Sequence, residues 1–307
     1  MQSTSEIPAA PCDHGARRSG GAGVSLPAAH TAVTLRLFRF LWLGRISTTR
    51  PEIPPGSLIL AAHYNGLVDG FAYGSQFPPL RGVVSVQWHR HLPGRLLFPG
   101  IAVQRAKDAG KGGNNLQAFR EMSGALRAGE RLLFFPEGTS RLGTGRLPIA
   151  RGTLLLLRAV RAINPPVPVY FCAAHYHEPT AWRSRVSVAV TGPIALPSSS
   201  ADDERWVADN LLAAQSAAYA KPATRRLGLT PLAAALAAPF LPLWGVVGLL
   251  ARRIADEENV VALWKFLIGV PATFGWLLLC TVVAVHLGLP LWLPLASLTT
   301  GSLLWNR

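Results

Sequence analysis

The sequence predicts an α/β fold, a mixed sheet flanked by helices, followed by a C-terminal region with transmembrane helices. Between about residues 57 and 220, short apolar runs typical of strands alternate with segments of helical periodicity. Residues 227–251 and 266–306 contain no Asp, Glu, Lys or Arg. The mean hydropathy of the whole chain is +0.27, which favours contact with a membrane.

The first segments are interpreted as a leader and an amphipathic helix. Residues 1–33 are rich in Ala, Gly, Ser and Pro and lack the apolar stretch of a signal peptide, so we expect a disordered leader. In residues 34–46, apolar side chains recur at helical spacing with arginines between them. This helix is too short to span a bilayer, and it either lies in the membrane interface or packs on the domain.

The remaining elements of the predicted domain, residues 34–228, each have a local signal. Strands are expected where apolar or β-branched runs end at turn-forming residues, and helices where a 3.6-residue period starts at a cap or ends at glycine. The predicted strands are 57–62, 82–88, 131–136, 167–176 and 185–192, and the predicted helices are 114–129, 150–163 and 201–220.

Residues 229–307 are predicted to be a membrane region with two or three helices. A spanning helix needs about 20 apolar residues, so the run 266–306 is long enough for two. The first apolar block contains three prolines, and it spans the bilayer, kinks or lies re-entrant. Basic residues precede this block, and the positive-inside tendency puts them and the domain in the cytoplasm. These basic residues are Lys221, Arg225 and Arg226.

The positive charge indicates the class of partner. The formal net charge is +14, which suits nucleic acid, anionic lipid or a phosphate-rich substrate. Residues 81–161 hold 14 Lys and Arg against 4 Asp and Glu, but apolar residues separate most of the basic ones. A nucleic-acid-binding tail would more often show blocks of like charge, so no nucleic acid is expected as a partner.

The stretch "AAHYNGLVDG", residues 61–70, follows the first predicted strand of the alternating pattern and carries a candidate acid–base pair. His63 and Asp69 would not share a face if this segment were one helix. The Asn65-Gly66 pair predicts a turn that can fold Asp69 back toward the ring of His63. A histidine held in this way can take a proton from an alcohol. The alternative is a structural loop histidine with a helix-capping aspartate.

A second motif, "FFPEGTSR", follows another predicted strand. Gly138 allows a ligand to approach the backbone closely, and Arg141 suits a phosphate group. Glu137 and Thr139 can form hydrogen bonds with the hydroxyls of a polyol. The alternative is a strand-to-loop turn with surface arginines.

Together these motifs resemble the phospholipid/glycerol acyltransferase family, which includes glycerol-3-phosphate and 1-acylglycerol-3-phosphate acyltransferases. Four blocks within about residues 35–220 carry the likeness: "AAHYNGLVDG", "GIAVQRAKD", "FFPEGTSRLGTGRLPIARG" and "PPVPVYFCA". This chain has five residues between His63 and Asp69, where the commonest family pattern has four. Ser140 also separates the Glu-Gly-Thr sequence from Arg141, where the family often has the arginine directly.

The resemblance implies a glycerolipid acyltransferase-like fold and an integral membrane enzyme of phospholipid biosynthesis at the cytoplasmic face. It assigns His63 as the general base and Asp69 as the residue that orients it. The donor would be acyl-CoA or acyl-carrier protein, and the acceptor a glycerol phosphate or lysophospholipid among the membrane lipids. No metal and no cofactor beyond these co-substrates are expected. The acceptor and phosphate site would consist of Arg105, Glu137, Gly138, Thr139, Arg141 and Arg151.

Two other functions are compatible with parts of the sequence. The pairs His89/His91 and His175/His177 have the i, i+2 spacing that puts two histidines on one face of a strand, where they could ligate zinc in a metal hydrolase. A non-catalytic membrane lipid-binding protein would also be basic and rich in apolar helices. Neither of these alternatives requires His63, Asp69 and the "PEGTS" turn together.

Overall fold

The central element of the fold is a seven-stranded mixed sheet in the order β1-β7-β6-β2-β5-β3-β4. All neighbouring strands are parallel except β6 and β7, which are antiparallel. The strands are β1 (Leu43–Thr48), β2 (Leu58–Ala61), β3 (Arg81–Ser85), β4 (Gly100–Val103), β5 (Leu132–Phe134), β6 (Val169–Tyr176) and β7 (Ser184–Thr191). The computed structural model describes residues 33, 36, 39, 42–48, 52–89, 100–104, 115–142, 147–182, 184–220, 235 and 238–304.

Helices cover both faces of the sheet, and three further helices follow it. The helices are α1 (Leu67–Gly74), α2 (Val86–His89), α3 (Asn115–Arg127), α4 (Arg151–Arg161), α5 (Asp203–Tyr219), α6 (Leu241–Ile254), α7 (Val261–His286) and α8 (Leu293–Leu304). Because side chains alternate across a strand, each central strand contributes to two separate apolar cores. Helix α1 and the first turn of α7 pack on one face, and α3, α4 and α5 pack on the other.

The topology brings the two sequence motifs to one edge of the sheet. Strand β2 lies between β5 and β6 and is parallel to both. The carboxyl ends of these three strands therefore meet at the same edge, which is where open α/β sheets bind ligands. The loop after β2 begins at Ala62, and the turn after β5 begins at Phe135.

Two of the sequence-based assignments need correction. The helix predicted over residues 34–46 is helical at the described positions 33, 36, 39 and 42, but residues from Leu43 onward form strand β1. The backbone groups at the edge of β7 provide a partner for these residues, and Leu43 is buried. The strand predicted over 82–88 ends at Ser85, where its partner strand β4 also ends, and α2 follows.

The C-terminal helices form a separate layer with a small apolar core of its own. Within the described part of the chain, one helical segment, Glu258–His286, is long and apolar enough to cross a membrane, with a mean hydropathy of 2.1 over an 18-residue stretch. Helices α6 and α8 have 14 and 12 residues, fewer than a span requires. The total number of spans stays a prediction. Lys221, Arg225 and Arg226, on which the predicted orientation depends, lie outside the described residues, as does nearly all of the predicted leader.

Candidate active site

The loop after β2 brings His63 and Asp69 together. The chain turns at Gly66, whose φ of +51° is a left-handed value that glycine adopts at little cost. Asp69 then lies in the first turn of α1, with its Oδ2 atom 3.0 Å from His63 Nδ1. The contact that the Asn65-Gly66 turn signal predicts is therefore present.

Asp69 accepts hydrogen bonds at both carboxylate oxygens. Its Oδ2 atom also accepts from the backbone N–H groups of Tyr64 and Asn65, each at 2.7 Å. Its Oδ1 atom accepts from the hydroxyl of Tyr176 at 2.7 Å. Asp69 is fully buried, so these four donors fix its orientation.

This arrangement determines the tautomer of His63. An ionised carboxylate can only accept hydrogen bonds, so we assign the ring hydrogen to Nδ1 and the lone pair to Nε2. The ring stacks on Phe135, with 4.1 Å between ring centroids. The side chain of His63 is 18% exposed, in contrast to the buried Asp69, so a substrate can approach the ring.

The turn after β5 is bonded directly to the His63 loop. Glu137 Oε2 accepts the backbone N–H of His63 at 2.7 Å, and the Arg141 N–H donates to the His63 carbonyl at 3.3 Å. Both backbone groups of His63 are thus held by the second motif. The two motifs, 74 residues apart in sequence, form one polar cluster.

Local features of the chain give the second turn its shape. Gly138 has a φ of +65°, so a residue with a side chain would be strained at this position. The carbonyl of Pro136 accepts the Ala150 N–H and the hydroxyl of Thr153, both at 2.8 Å. Thr153 is fully buried in the first turn of α4, so this helix holds the turn after β5 in place.

Glu137 has a perturbed acidity. Its carboxyl pKa is raised from 4.5 to about 7, mainly by burial and also by the negative charge of Asp69. The hydrogen bond from the His63 N–H and the positive charge of Arg141 act in the opposite direction but do not cancel the effect of burial. Glu137 is therefore expected to gain or lose a proton near neutral pH, even though only 9% of the residue is exposed to solvent.

The predicted acceptor-site residues have different positions. Glu137, Gly138, Thr139 and Arg141 lie in the turn beside His63, with Thr139 half-buried and Arg141 exposed. Arg151 is exposed at the first residue of α4. Arg105 lies outside the described residues.

Most backbone N–H groups near His63 already have acceptors. Those of residues 63, 64 and 65 bond to Glu137 or Asp69, and the Gly138 N–H bonds to the Phe135 carbonyl. The N–H groups of Thr139 and Ser140 have no hydrogen-bond partner within the described part of the chain. Both groups lie in the turn after β5 and can receive a negatively charged oxygen.

Three residues that contact the site carried no signal of their own in the sequence. Tyr176 is the last residue of β6, and its place beside Asp69 follows only from the pairing of β6 with β2. In the sequence, Phe135 is one more apolar residue of the predicted strand 131–136. Asn259 lies 119 residues after Ser140, to which it donates two hydrogen bonds.

Of the two histidine pairs, the structure describes both side chains of His175/His177 only. The rings of His175 and His177 lie 4.7 Å apart between centroids, and the ring of His175 also contacts that of Tyr219 in a tilted arrangement, with 4.1 Å between centroids. Burial lowers the pKa of both imidazoles. The described residues contain no group of three or more His, Cys, Asp and Glu side chains that could hold a metal ion, and His91 lies outside them.

Comparison with solved structures shows which known fold this chain is similar to. No protein-family model matches the chain, and no curated protein matches it. Among solved structures, the chain is similar to the 1-acyl-sn-glycerophosphate (LPA) acyltransferase PlsC from Thermotoga maritima. The sequence identity is 16% and the TM-score 0.47, over 64% of this chain and 81% of that chain. With these values, the function of this chain has to be inferred from its own residues.

Proposed function

We propose that this chain is a membrane-bound O-acyltransferase of phospholipid biosynthesis. It moves a fatty acyl group from a thioester, acyl-CoA or acyl-carrier protein, to a hydroxyl of a glycerol phosphate or lysophospholipid. One observation carries the proposal: the Asp69–His63 pair, with a partly exposed ring, is bonded to the Glu137–Arg141 turn. A proton acceptor and a cation that can bind phosphate therefore lie in one site.

In the proposed reaction, His63 is the general base. Its Nε2 atom takes the proton of the acceptor hydroxyl, and the oxygen attacks the thioester carbonyl carbon. The tetrahedral intermediate then collapses, the C–S bond breaks, and the leaving sulfur takes the proton from the imidazolium. Asp69 stabilises the transient positive charge on the ring and holds its orientation. No covalent acyl-enzyme forms.

The turn after β5 supplies the other parts of the proposed site. The N–H groups of Thr139 and Ser140 stabilise the oxyanion, since they have no other partner among the described residues. Arg141, with Arg105 and Arg151, binds the acceptor phosphate. Glu137 Oε2 is held by the His63 N–H, so Oε1 is the oxygen that receives a hydroxyl of the glycerol.

The proposed location is the cytoplasmic face of a membrane, with membrane lipid as a partner. The thioester donors are cytoplasmic, and a lysophospholipid acceptor is anchored in the bilayer by its acyl chain. The apolar segment Glu258–His286 supports integration, since it begins beside the site and is exposed further along. Leu278, for example, is 67% exposed.

The decisive test is acyl transfer by the purified full-length protein. We expect labelled palmitoyl-CoA or palmitoyl-acyl-carrier protein to give an acylated product with at least one of glycerol 3-phosphate, lysophosphatidate or other lysophospholipids, detected by mass spectrometry. His63→Ala should lower the rate by about 10²–10⁴-fold. The matched control is His177→Ala, which removes a histidine that no step of the mechanism uses.

The other outcomes identify other functions. Absence of product with every acceptor and with both donors, or equal rates for wild type and His63→Ala, would refute the acyltransferase proposal. Saturable lysolipid binding without turnover would then indicate a lipid-binding protein. Loss of a hydrolytic activity on adding a chelator would indicate a metal hydrolase.

A further inference from the structure

The start of the apolar helix α7 contacts both loops of the candidate active site. The contact is made by Asn259, in a single helical turn that directly precedes α7, and this residue is 3% exposed. Its Nδ2 atom donates to the Ser140 carbonyl at 2.6 Å and to the Ser140 hydroxyl at 2.9 Å. The backbone carbonyl oxygen of Asn259 lies so close to Gly66 that a Cβ atom added to this glycine would be only 2.9 Å from it. Gly66 therefore lets α7 approach the His63 loop closely.

One peptide group links these contacts to His63. The carbonyl of Ser140 and the N–H of Arg141 belong to the same planar peptide unit. Asn259 holds this unit at the carbonyl, and the His63 carbonyl accepts its N–H at 3.3 Å. Because the unit is rigid, fixing its carbonyl also fixes the direction of its N–H, the position of Ser140 and the root of the Arg141 side chain.

The rest of the first turns of α7 reinforces this attachment. Ala262 is fully buried in the core that contains α1, and Phe266 packs edge-on against Trp42, with 6.0 Å between ring centroids. Lys265 Nζ donates to the Thr180 carbonyl at 2.7 Å, in the loop that follows β6. The same helix start thus reaches the loops after β2, β5 and β6.

The hydrogen-bond inventory of Asn259 indicates a role other than bulk stability. Its Oδ1 atom is buried and has no hydrogen-bond partner within the described residues. A buried carbonyl without a donor is unfavourable, and this cost offsets part of the gain from the two bonds of Nδ2. A side chain selected only to stabilise the fold would not need this polar oxygen.

We infer that Asn259 is a positioning residue of the active site, through which the start of the membrane-spanning helix orients the Ser140–Arg141 peptide relative to His63. The inference rests on the proposed function, since this peptide carries an oxyanion donor and the phosphate-binding arginine. The helix is accordingly part of the active site as well as an anchor. Acyl transfer depends on how α7 docks on the domain.

Two substitutions distinguish the hydrogen bonds that Asn259 donates from the space that its side chain fills. Asn259→Ala removes the side chain, whereas Asn259→Asp keeps its shape but replaces the donor by a carboxylate that can only accept. We expect both to lower kcat/KM for the acceptor by about 10- to 100-fold at pH 8, because small displacements in an active site have effects of this size. Protonation lets the carboxyl group donate again, so activity of the Asn259→Asp variant relative to wild type should recover as the pH is lowered.

The control is Asn210→Ala. Asn210 also donates its Nδ2 to a backbone carbonyl, that of Trp206 at 2.8 Å, but this bond lies within α5. This variant should retain wild-type kinetics. An Asn259→Asp variant with wild-type kcat/KM at pH 8 would overturn the inference. A side chain of the same shape that donates no hydrogen bond to Ser140 would then be sufficient for activity.

Hydrogen exchange tests the same inference without relying on activity. In the full-length protein in lipid nanodiscs, Asn259→Ala and Asn259→Asp should speed exchange of the Arg141 N–H at least tenfold and leave amides of β6 unchanged. Unchanged exchange at Arg141 in both variants would overturn the positioning role. If wild type transferred no acyl group, the proposed function would fail, and the exchange result alone would decide whether Asn259 fixes this peptide.

Discussion

At the scale of single residues, the most informative group is the carboxylate of Asp69. Asp69→Asn keeps the shape of the side chain, and an amide oxygen in place of Oδ2 still accepts from Tyr64 and Asn65. Its amino group then faces the hydroxyl of Tyr176, which can accept. The change therefore removes the negative charge and leaves the loop intact, so we expect acyl transfer to fall about 10²–10⁴-fold with little change in thermal unfolding.

A second variant provides the comparison for this prediction. Tyr176→Phe removes the hydrogen bond to Oδ1 but leaves the charge and the contact with His63. One hydrogen bond to a charged group contributes about 1.5–3 kcal/mol, so its loss should slow the reaction less than the loss of the charge. Rates of Asp69→Asn within threefold of wild type would be incompatible with the proposed role of the carboxylate.

Glu137 gives a prediction on pH dependence. Its pKa is about 7 in the folded protein, whereas the ordinary value for a glutamate, which applies to the unfolded chain, is 4.5. Between these pH values the folded state holds a proton that the unfolded state has lost, so this group lowers the free energy of unfolding as the pH rises from 4.5 to 7. Above pH 7 its contribution is constant. The shift corresponds to on the order of 3 kcal/mol.

The variant for this prediction is Glu137→Gln, whose amide oxygen can still accept the His63 N–H. Thermal unfolding of wild type and variant in detergent between pH 5 and 8 should show a variant whose relative stability increases up to pH 7 and then stays level. Parallel stability curves over this range would show that Glu137 titrates normally. Asp202→Asn, on an exposed residue of the short helix before α5, serves as a control for removing one carboxylate.

At the scale of elements, the end of α4 and the start of α5 are joined by an ion pair. Arg161 donates to both carboxylate oxygens of Asp203, which is fully buried, and the hydrogen bond raises the pKa of the guanidinium. Asp203→Asn leaves one oxygen to accept and removes the charge, so we expect a loss of about 1–3 kcal/mol in the free energy of unfolding. Arg161 is the last residue of α4. The active-site turn lies at the opposite end of this helix, before its first residue, Arg151.

This prediction separates stability from activity. Because the ion pair is an entire helix of 11 residues away from the Pro136 turn, kcat of Asp203→Asn should stay within about twofold of wild type at a temperature where the protein is folded. Chemical or thermal unfolding measures the first quantity and acyl transfer the second. A large fall in kcat without unfolding would mean that α4 transmits strain to the site.

The elements that the sequence predicts well are those with local signals. Strands β2, β5 and β6 are apolar runs bounded by turn formers, and α4 and α5 have an apolar face of helical period. The edge strands β1 and β4 were not predicted, because their strand structure depends on the partners β7 and β3 rather than on their own residues.

The same distinction applies to the candidate site. His63, Asp69 and the Glu137–Arg141 turn are recognisable because each motif is contiguous and polar residues follow an apolar strand. Tyr176 and Asn259 contact these motifs only through strand pairing and through the docking of α7. Such contacts join residues more than 100 positions apart, and no local pattern encodes them.

At the scale of the whole molecule, α7 connects the domain to the proposed bilayer. Its first residues pack on the domain, and residues 266–286 then give 21 residues, or about 31 Å of helix, which matches a hydrocarbon thickness of about 30 Å. Large apolar side chains of this part are exposed, including Phe274, Leu278 and Val282 at 69%, 67% and 57%. Water would be an unfavourable solvent for such a surface.

The docking of α7 restricts where the active site lies with respect to the membrane. Because Asn259 is bonded to Ser140 and the apolar part begins only a few residues later, the site lies at the membrane surface if residues 266–286 span the bilayer. An acceptor whose acyl chain stays in the lipid could then present its hydroxyl to His63. The attachment of the helix and the chemistry of a lipid acceptor favour the same geometry.

Arginine substitution in this helix tests the arrangement. Leu278→Arg together with Val282→Arg places two charges four residues apart on one exposed face. A charge at the centre of a span costs about 2.5–3.5 kcal/mol in insertion experiments and less toward its ends, and we expect the pair together to prevent stable integration of α7. We expect at least half of the protein to leave the carbonate-resistant membrane fraction, and acyl transfer to lysolipid in vesicles to fall in proportion.

A double variant with Leu278→Phe and Val282→Leu keeps the surface apolar and should fractionate as wild type does. If the arginine variant stayed integrated and active like wild type, α7 would not be the segment that brings the site to the bilayer.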